Sequence, residues 1–151
     1  MKRYLGFDIE IAKILPDGVT DLLAHQPLGI SCAAAVASDM PSPLVWHGRD
    51  ESGNPGGQMS GAAVVSMLED LERLAATGYT IVTWNGAAFD FPVVASESGQ
   101  LQRCAALAAG HVDMLFQAVC TLGHYISLKK AAEGMGLPGK TDGMSGILAP
   151  T

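Results

Sequence analysis

Two carboxylates, Asp8 and Glu10, stand two positions apart in the run Tyr4-Leu5-Gly6-Phe7-Asp8-Ile9-Glu10-Ile11. Side chains alternate across a strand, so both acids leave the same face, about 7 Å apart at the backbone. That spacing lets both reach a shared pair of cations, and two acids among apolar neighbours are costly to bury unless positive charge compensates them. A solvent-facing edge strand with an acidic polar side gives the same pattern, so the pair alone leaves both readings open. A third acid, Asp90, ends the run Thr83-Trp84-Asn85-Gly86-Ala87-Ala88-Phe89-Asp90 and is followed by Phe91-Pro92. Proline has no amide hydrogen and fits only the first four positions of a helix without distortion, which starts a helix near Phe89 and puts Asp90 in its first turn. A carboxylate there is favoured by the helix dipole and sits at the end of the sheet, where open α/β folds tend to place their sites.

The elements that must position these acids follow from the pattern. Residues Tyr4 to Ile11 alternate as a strand, with Leu5, Phe7, Ile9 and Ile11 on one face and Tyr4, Gly6, Asp8 and Glu10 on the other. Ile11 to Leu28 carries turn chemistry at Pro16-Asp17-Gly18 and reads as a loop. Gly29 to Ala37 and Leu44 to His47 read as strands, and Arg49 to Gly57 as a long turn. From Ser60 to Thr77 apolar residues recur every three or four positions before Gly78, the mark of an amphipathic helix. A strand from Tyr79 to Trp84 precedes the Asn85-Gly86 turn, and a helical stretch from Phe89 to Ala109 has a break near Gly99. A short strand over His111 to Leu115, a helix over Phe116 to Leu122, and a helix over Leu128 to Met135 with Ser127 as N-cap and Gly136 as terminator complete the pattern. Three strands, a helix and then strand-helix alternation predict a mixed sheet flanked by helices.

Taken together, Phe7-Asp8-Ile9-Glu10 and Trp84-Asn85-Gly86-x-x-Phe89-Asp90 resemble the first two motifs of the DEDD (DnaQ-like) 3′-to-5′ exonucleases. Within that superfamily the chain resembles the predicted exonucleases related to the family B DNA polymerase proofreading domain. His111-Val112-Asp113-Met114-Leu115, Ser127-Leu128 and Gly136-Leu137-Pro138-Gly139-Lys140 look like the region that follows the second motif, so the resemblance spans nearly the whole chain. It implies an α/β, RNase H-like fold in one exonuclease domain over residues 1–151. It also implies two divalent cations, Mg2+ or Mn2+, and hydrolysis of single-stranded DNA or RNA from the 3′ end. Asp8 would bridge both ions, Glu10 would bind the one that activates water, and Asp90 the other. Asn85, Phe89 and the backbone after Asp8, at Ile9, would hold the terminal nucleotide.

The family's third motif, a helix carrying a fourth acid with a tyrosine or histidine shortly before it, has no match. Asp142 stands in a glycine-rich turn, and the domain is therefore expected to lack its C-terminal helix and to be C-terminally truncated. Asp113 is a conceivable substitute, although an acid before an apolar helical segment more often caps the helix or pairs with a neighbour such as His111. His25, His47, His111 and His124 have no metal-ligand spacing, and His124-Tyr125 is a weak candidate for a general base. Ile11 replaces the threonine or serine that many relatives carry after the motif-one glutamate. Gly53-Asn54-Pro55-Gly56-Gly57 lacks the ending of a P-loop. Lys129, Lys130 and Lys140 could meet phosphates, but exposed lysines usually only solvate a helix face. The alternative function is a catalytically incomplete RNase H-like fragment that binds metal or nucleic-acid ends without turnover and self-associates through an uncovered sheet face.

Composition narrows the classes that remain. With 151 residues, 48% of them hydrophobic and 16% charged, the chain suits one globular domain. Nine basic against fifteen acidic residues give a net charge of −6, which argues against gripping long duplex DNA by phosphate neutralisation. Bound cations would supply positive charge where a strand end must sit. No window approaches the roughly 20 apolar residues of a membrane span, and Asp8 interrupts any leader core, so a cytoplasmic protein is expected. Cys32, Cys104 and Cys120 are an odd number in apolar surroundings and are expected to be reduced core thiols.

Overall fold

Strand β1 (Arg3–Ile11) alternates as its sequence requires: Leu5, Phe7 and Ile9 are buried, Asp8 is exposed and Glu10 is half-buried. The structure, a computed structural model, describes residues 2–137. The antiparallel register of β1 with β2 (Ile30–Val36) pairs Asp8 with Ala34 and Glu10 with Cys32, then shifts between Glu10 and Ile11. Across that bulge, which inserts Ser31 on β2, Ile11 pairs with the buried Ile30 and packs against the core, half-buried at the end of its strand.

β3 (Leu44–Arg49) continues the meander against β2, and the glycine-rich stretch expected to be one long turn closes instead as a hairpin on a two-residue strand, β4 (Pro55–Gly56). Proline and glycine hide so short a strand from any alternation test. The Asp50 carboxylate organises the tip by accepting the N–H groups of Ser52 and Asn54. β5 (Tyr79–Thr83) joins β1 in parallel from Arg3–Tyr79 to Gly6–Val82, and β6 (Val112–Asp113) joins β5 in parallel. The sheet order is β4-β3-β2-β1-β5-β6, an α/β mixed sheet of RNase H-like type.

Helix α1 (Gly61–Ala76) crosses from β4 to β5. Ser60 caps it by accepting the Ala63 N–H, and Gly78, at φ +97°, ends the turn into β5. Its buried stripe of Val64, Met67, Leu68, Leu71 and Leu74 meets Leu5, Phe7, Ile9, Ile30 and Ile81 of the sheet. Each such side chain contributes about 1.5–3 kcal/mol through burial. The helical stretch after the Asn85-Gly86 turn is indeed broken at Gly99, into α2 (Asp90–Ser98) and α3 (Leu101–Gly110). Phe91, Val93 and Val94 of α2 and Cys104 of α3 complete the core. The opposite sheet face presents Tyr4, Val36 and Val45 to solvent. α4 (Met114–Leu122) begins two residues earlier than its apolar pattern suggests, because Asp113 caps it, and α5 (Leu128–Gly134) is capped by Ser127 as expected. The region 138–151, with Lys140, Asp142 and the expected loss of a C-terminal helix, lies outside the described residues. Among the described residues no helix is long and apolar enough to cross a membrane.

The loop between β1 and β2 is held from α2. The Glu97 Oε1 accepts the N–H groups of both Leu28 and Gly29 at 3.0 Å, and Gly29 takes a positive φ there. Glu97→Ala would strand two amides beside the buried Leu28, and a loss of about 2 kcal/mol is expected in urea unfolding. Glu97→Gln keeps an acceptor oxygen and should lose less. Equal stability of the alanine variant and the parent would mean that the loop is held by packing alone.

The expectation of three core thiols needs correction. Cys104 is buried, but Cys32 is half-buried at the strand opposite Glu10, and Cys120 is exposed on α4. An apolar neighbourhood in sequence does not make a core position when the helix packs on only one side.

Candidate active site

The β1–β5 ladder stops at Gly6–Val82, and three residues further along β1 the Ile9 N–H donates to the Asp90 carboxylate at 3.2 Å. Asp90 opens α2, with Pro92 as its third residue, within the range that the missing amide hydrogen of proline allows. The first two motif segments thus meet at one end of the sheet. Asp90 is 3% exposed. Burial, and then the charge of Asp8 with a smaller contribution from Asp113, push its carboxyl up from 3.8 to about 7, against the hydrogen bonds from Ile9 and from its own amide. The helix dipole was expected to favour the ionised acid here, but desolvation and like charge outweigh it.

Glu10, Ile9 and Phe89 line one cleft of about 370 Å³ together with Lys13, Leu15 and Leu22. Phe89 is half-buried against the core. The Lys13 ammonium is engaged by the His25 carbonyl at 2.6 Å. Among the described residues, no three histidine, cysteine or acidic side chains are gathered as a set that could hold a metal ion. The structure brings Asp8 within electrostatic reach of Asp90 and puts Glu10 on the same strand face, in the adjoining cleft.

The turn before α2 is tied down at several points. Asn85 takes φ +68°, a left-handed conformation that asparagine tolerates better than most residues. The Gly86 N–H donates to the Thr83 hydroxyl, and its carbonyl accepts the Phe91 N–H. Asp113, 7% exposed, accepts three backbone N–H groups: Asn85 at 2.9 Å and Leu115 at 3.0 Å on Oδ1, and Ala87 at 3.1 Å on Oδ2. The cap on α4 is the role its sequence context suggested. The reach back to the turn is the contact that sequence reading missed, and no local pattern announces it.

His111 packs edge-on to Phe91, and its Nδ1 meets the Ala108 carbonyl, which leaves Nε2 buried, 3.9 Å from Asp113 and without a hydrogen bond. His124 and Tyr125, the weak candidates for a general base, are exposed beyond α4.

In structure, the chain is similar to the family B DNA polymerase from the hyperthermophilic archaeon Pyrobaculum calidifontis, at TM-score 0.64 and 19% identity over 98% of this chain and 20% of that one. It is also similar to exonuclease I in a product-bound structure, at TM-score 0.53 and 14% identity over 99% of this chain and 41% of that one. The chain therefore spans about a fifth and two fifths of these two proteins. No curated protein matches it in sequence. Residues 58–151, more than half of the chain and including the Asn85-to-Asp90 turn and Asp113, match the family model of the RNase H superfamily, and the chain belongs to that superfamily.

Proposed function

We propose that the chain is a nuclease that removes nucleotides from the 3′ end of single-stranded DNA or RNA, with Asp8, Glu10 and Asp90 as ligands for two divalent cations, Mg2+ or Mn2+. A nuclease-type function is supported by the superfamily and by a fold shared with a polymerase and an exonuclease. The observation that carries the reading is Asp90, buried, hydrogen-bonded to the motif-one strand at Ile9 and within electrostatic reach of Asp8. The donor chemistry suits a hard cation, since all three are carboxylates; a cation would draw them together and offset the burial, and then the Asp8 charge, that raise the Asp90 carboxyl.

Two such ions, when bound, supply charge neutralisation at the scissile phosphate and acidify a water for in-line attack. The chain's own residues would bind and orient. Asp90 would hold a cation through the carboxylate that also accepts the Ile9 N–H. Phe89 offers a ring to the terminal nucleotide beside the Ile9 backbone, and Asn85 offers an amide side chain. With a net charge of −6, the chain would hold a phosphodiester through such cations more than through lysine and arginine.

The test uses oligonucleotides labelled at either end, with Mg2+ or Mn2+, and compares the parent with Asp8→Ala. Shortening from the 3′ end is expected for the parent alone and is stopped by a chelator. Equal activity in both proteins would sink the assignment. Tight binding of metal by calorimetry without any product would favour the catalytically incomplete alternative.

A further inference from the structure

We infer that Asp113 is a positioning residue, whose carboxylate sets the turn that carries Asn85 and Phe89 and so controls how the strand end is held. This rests on the reading that Asn85 and Phe89 face the terminal nucleotide. The turn leaves β5 at Thr83 and must deliver two groups: Asp90 to β1, and Asn85 with Phe89 to the substrate. Asp90 has its own anchor in the Ile9 N–H and the first turn of α2. The turn itself has few regular backbone partners, because its residues lie beyond the end of the β5 ladder. Asp113 supplies what the ladder no longer can.

The division of labour between its oxygens makes the role separable from helix capping. Oδ1 accepts from the Leu115 cap and the Asn85 amide, while Oδ2 accepts the Ala87 N–H and lies 3.9 Å from His111 Nε2. Residue 113 ends β6, whose parallel pairing with Thr83 fixes the carboxylate directly against the turn. The acid therefore couples three elements at one point: the end of β5, the start of α4 and the turn that precedes α2. A mere cap would need one oxygen and one N–H. Here two of the three donors belong to the turn, 28 and 26 residues away in sequence.

Asp113→Ser separates the two roles. Serine is among the best N-caps, so the Leu115 bond survives, but its single short hydroxyl cannot also span the Asn85 and Ala87 amides. Asp113→Asn is the milder partner: its amide oxygen can keep Asn85 and Leu115 while its NH2 faces the Ala87 N–H, and one bond is lost.

Hydrogen exchange and steady-state kinetics on the full chain decide the matter. The serine variant should melt within about 4 °C of the parent. Its Asn85 and Ala87 amides should exchange faster while the Leu115 amide stays protected. KM for a single-stranded oligonucleotide should rise about tenfold with kcat changed less than about threefold, and Asp113→Asn should fall between the two. Unchanged exchange at Asn85 and Ala87, or a parental KM, would overturn the assignment. So would a fall in kcat that only tracks loss of folded protein. The exchange readout does not need catalysis: a parent without nuclease activity would defeat the proposed function, while the amides alone would still decide what Asp113 holds.

Discussion

Replacing Asp90 with asparagine is expected to make the metal-free protein more stable at pH 8 and to lower nuclease activity by about a thousandfold. The two effects have one cause. Asp90 is almost fully buried beside Asp8, and its carboxyl is pushed up to about 7, so ionising it in the folded protein is penalised on the order of 4 kcal/mol. Asparagine has nearly the same shape and keeps an oxygen for the Ile9 N–H. It carries no charge to desolvate and none for Asp8 to repel. About half of the penalty should return as stability, a rise in Tm of roughly 5 °C or more in differential scanning fluorimetry with EDTA. The same neutral amide is a poor ligand for a divalent cation, so the proposed activity should fall with it. An Asp90→Asn variant that melts at or below the parent at pH 8 would contradict the electrostatic account.

The sign with pH follows from linkage. The folded carboxyl titrates at about 7 and the unfolded one near 3.8, so between those values the folded state holds a proton that the unfolded chain has released. The stabilising contribution of the neutral acid is complete below 3.8 and is lost as pH rises through about 7. The gap in Tm between Asp90→Asn and the parent should therefore be widest at pH 8 and close toward pH 4, a comparison in which the other carboxylates cancel. Millimolar Mg2+ should raise the parent's Tm at pH 8, where Asp90 is ionised, and less at pH 5, where a proton competes for the same oxygens. The asparagine variant should respond weakly at both.

How much of this was legible in sequence depends on the reach of each interaction. The face shared by Asp8 and Glu10 follows from an alternation confined to a few residues, and Pro92 placed the start of α2 by a local steric rule. The break at Gly99 and the Ser60 and Ser127 caps are local in the same sense. What stayed hidden was side-chain recognition of distant backbone. Asp113 reaches the Asn85 and Ala87 amides, and Glu97 reaches Leu28 and Gly29, across gaps that only the folded sheet closes. Neither acid differs in its local context from one that simply caps a turn or faces solvent. The raised carboxyl of Asp90 was also out of reach, since first-turn aspartates are ordinarily favoured by the helix end and only the depth of burial beside Asp8 reverses that preference.

Gly86→Ala is expected to destabilise the fold by about 3 kcal/mol, for a reason the Asn85-Gly86 pair conceals. An Asn-Gly step suggests a glycine chosen for its backbone freedom. In the structure it is Asn85 that takes the positive φ, and Gly86 is required by space. A Cβ on residue 86 would stand 2.3 Å from the Thr83 Oγ1, 2.6 Å from its Cβ and 2.7 Å from its Cγ2. Thr83 is 4% exposed at the end of β5 and cannot swing aside without disturbing the sheet. The turn must then retreat, and it takes with it the Gly86 N–H bond to the Thr83 hydroxyl and the Phe91 bond to the Gly86 carbonyl. That second bond links the turn to the first residues of α2, so Asp90 shifts as well. Urea unfolding of the single variants and of Gly86→Ala with Thr83→Ala checks the mechanism. Removing Oγ1 and Cγ2 relieves part of the clash, so the two costs should sum to clearly more than the cost of the pair. Simple additivity would show that the close approach to Thr83 is not what residue 86 must respect.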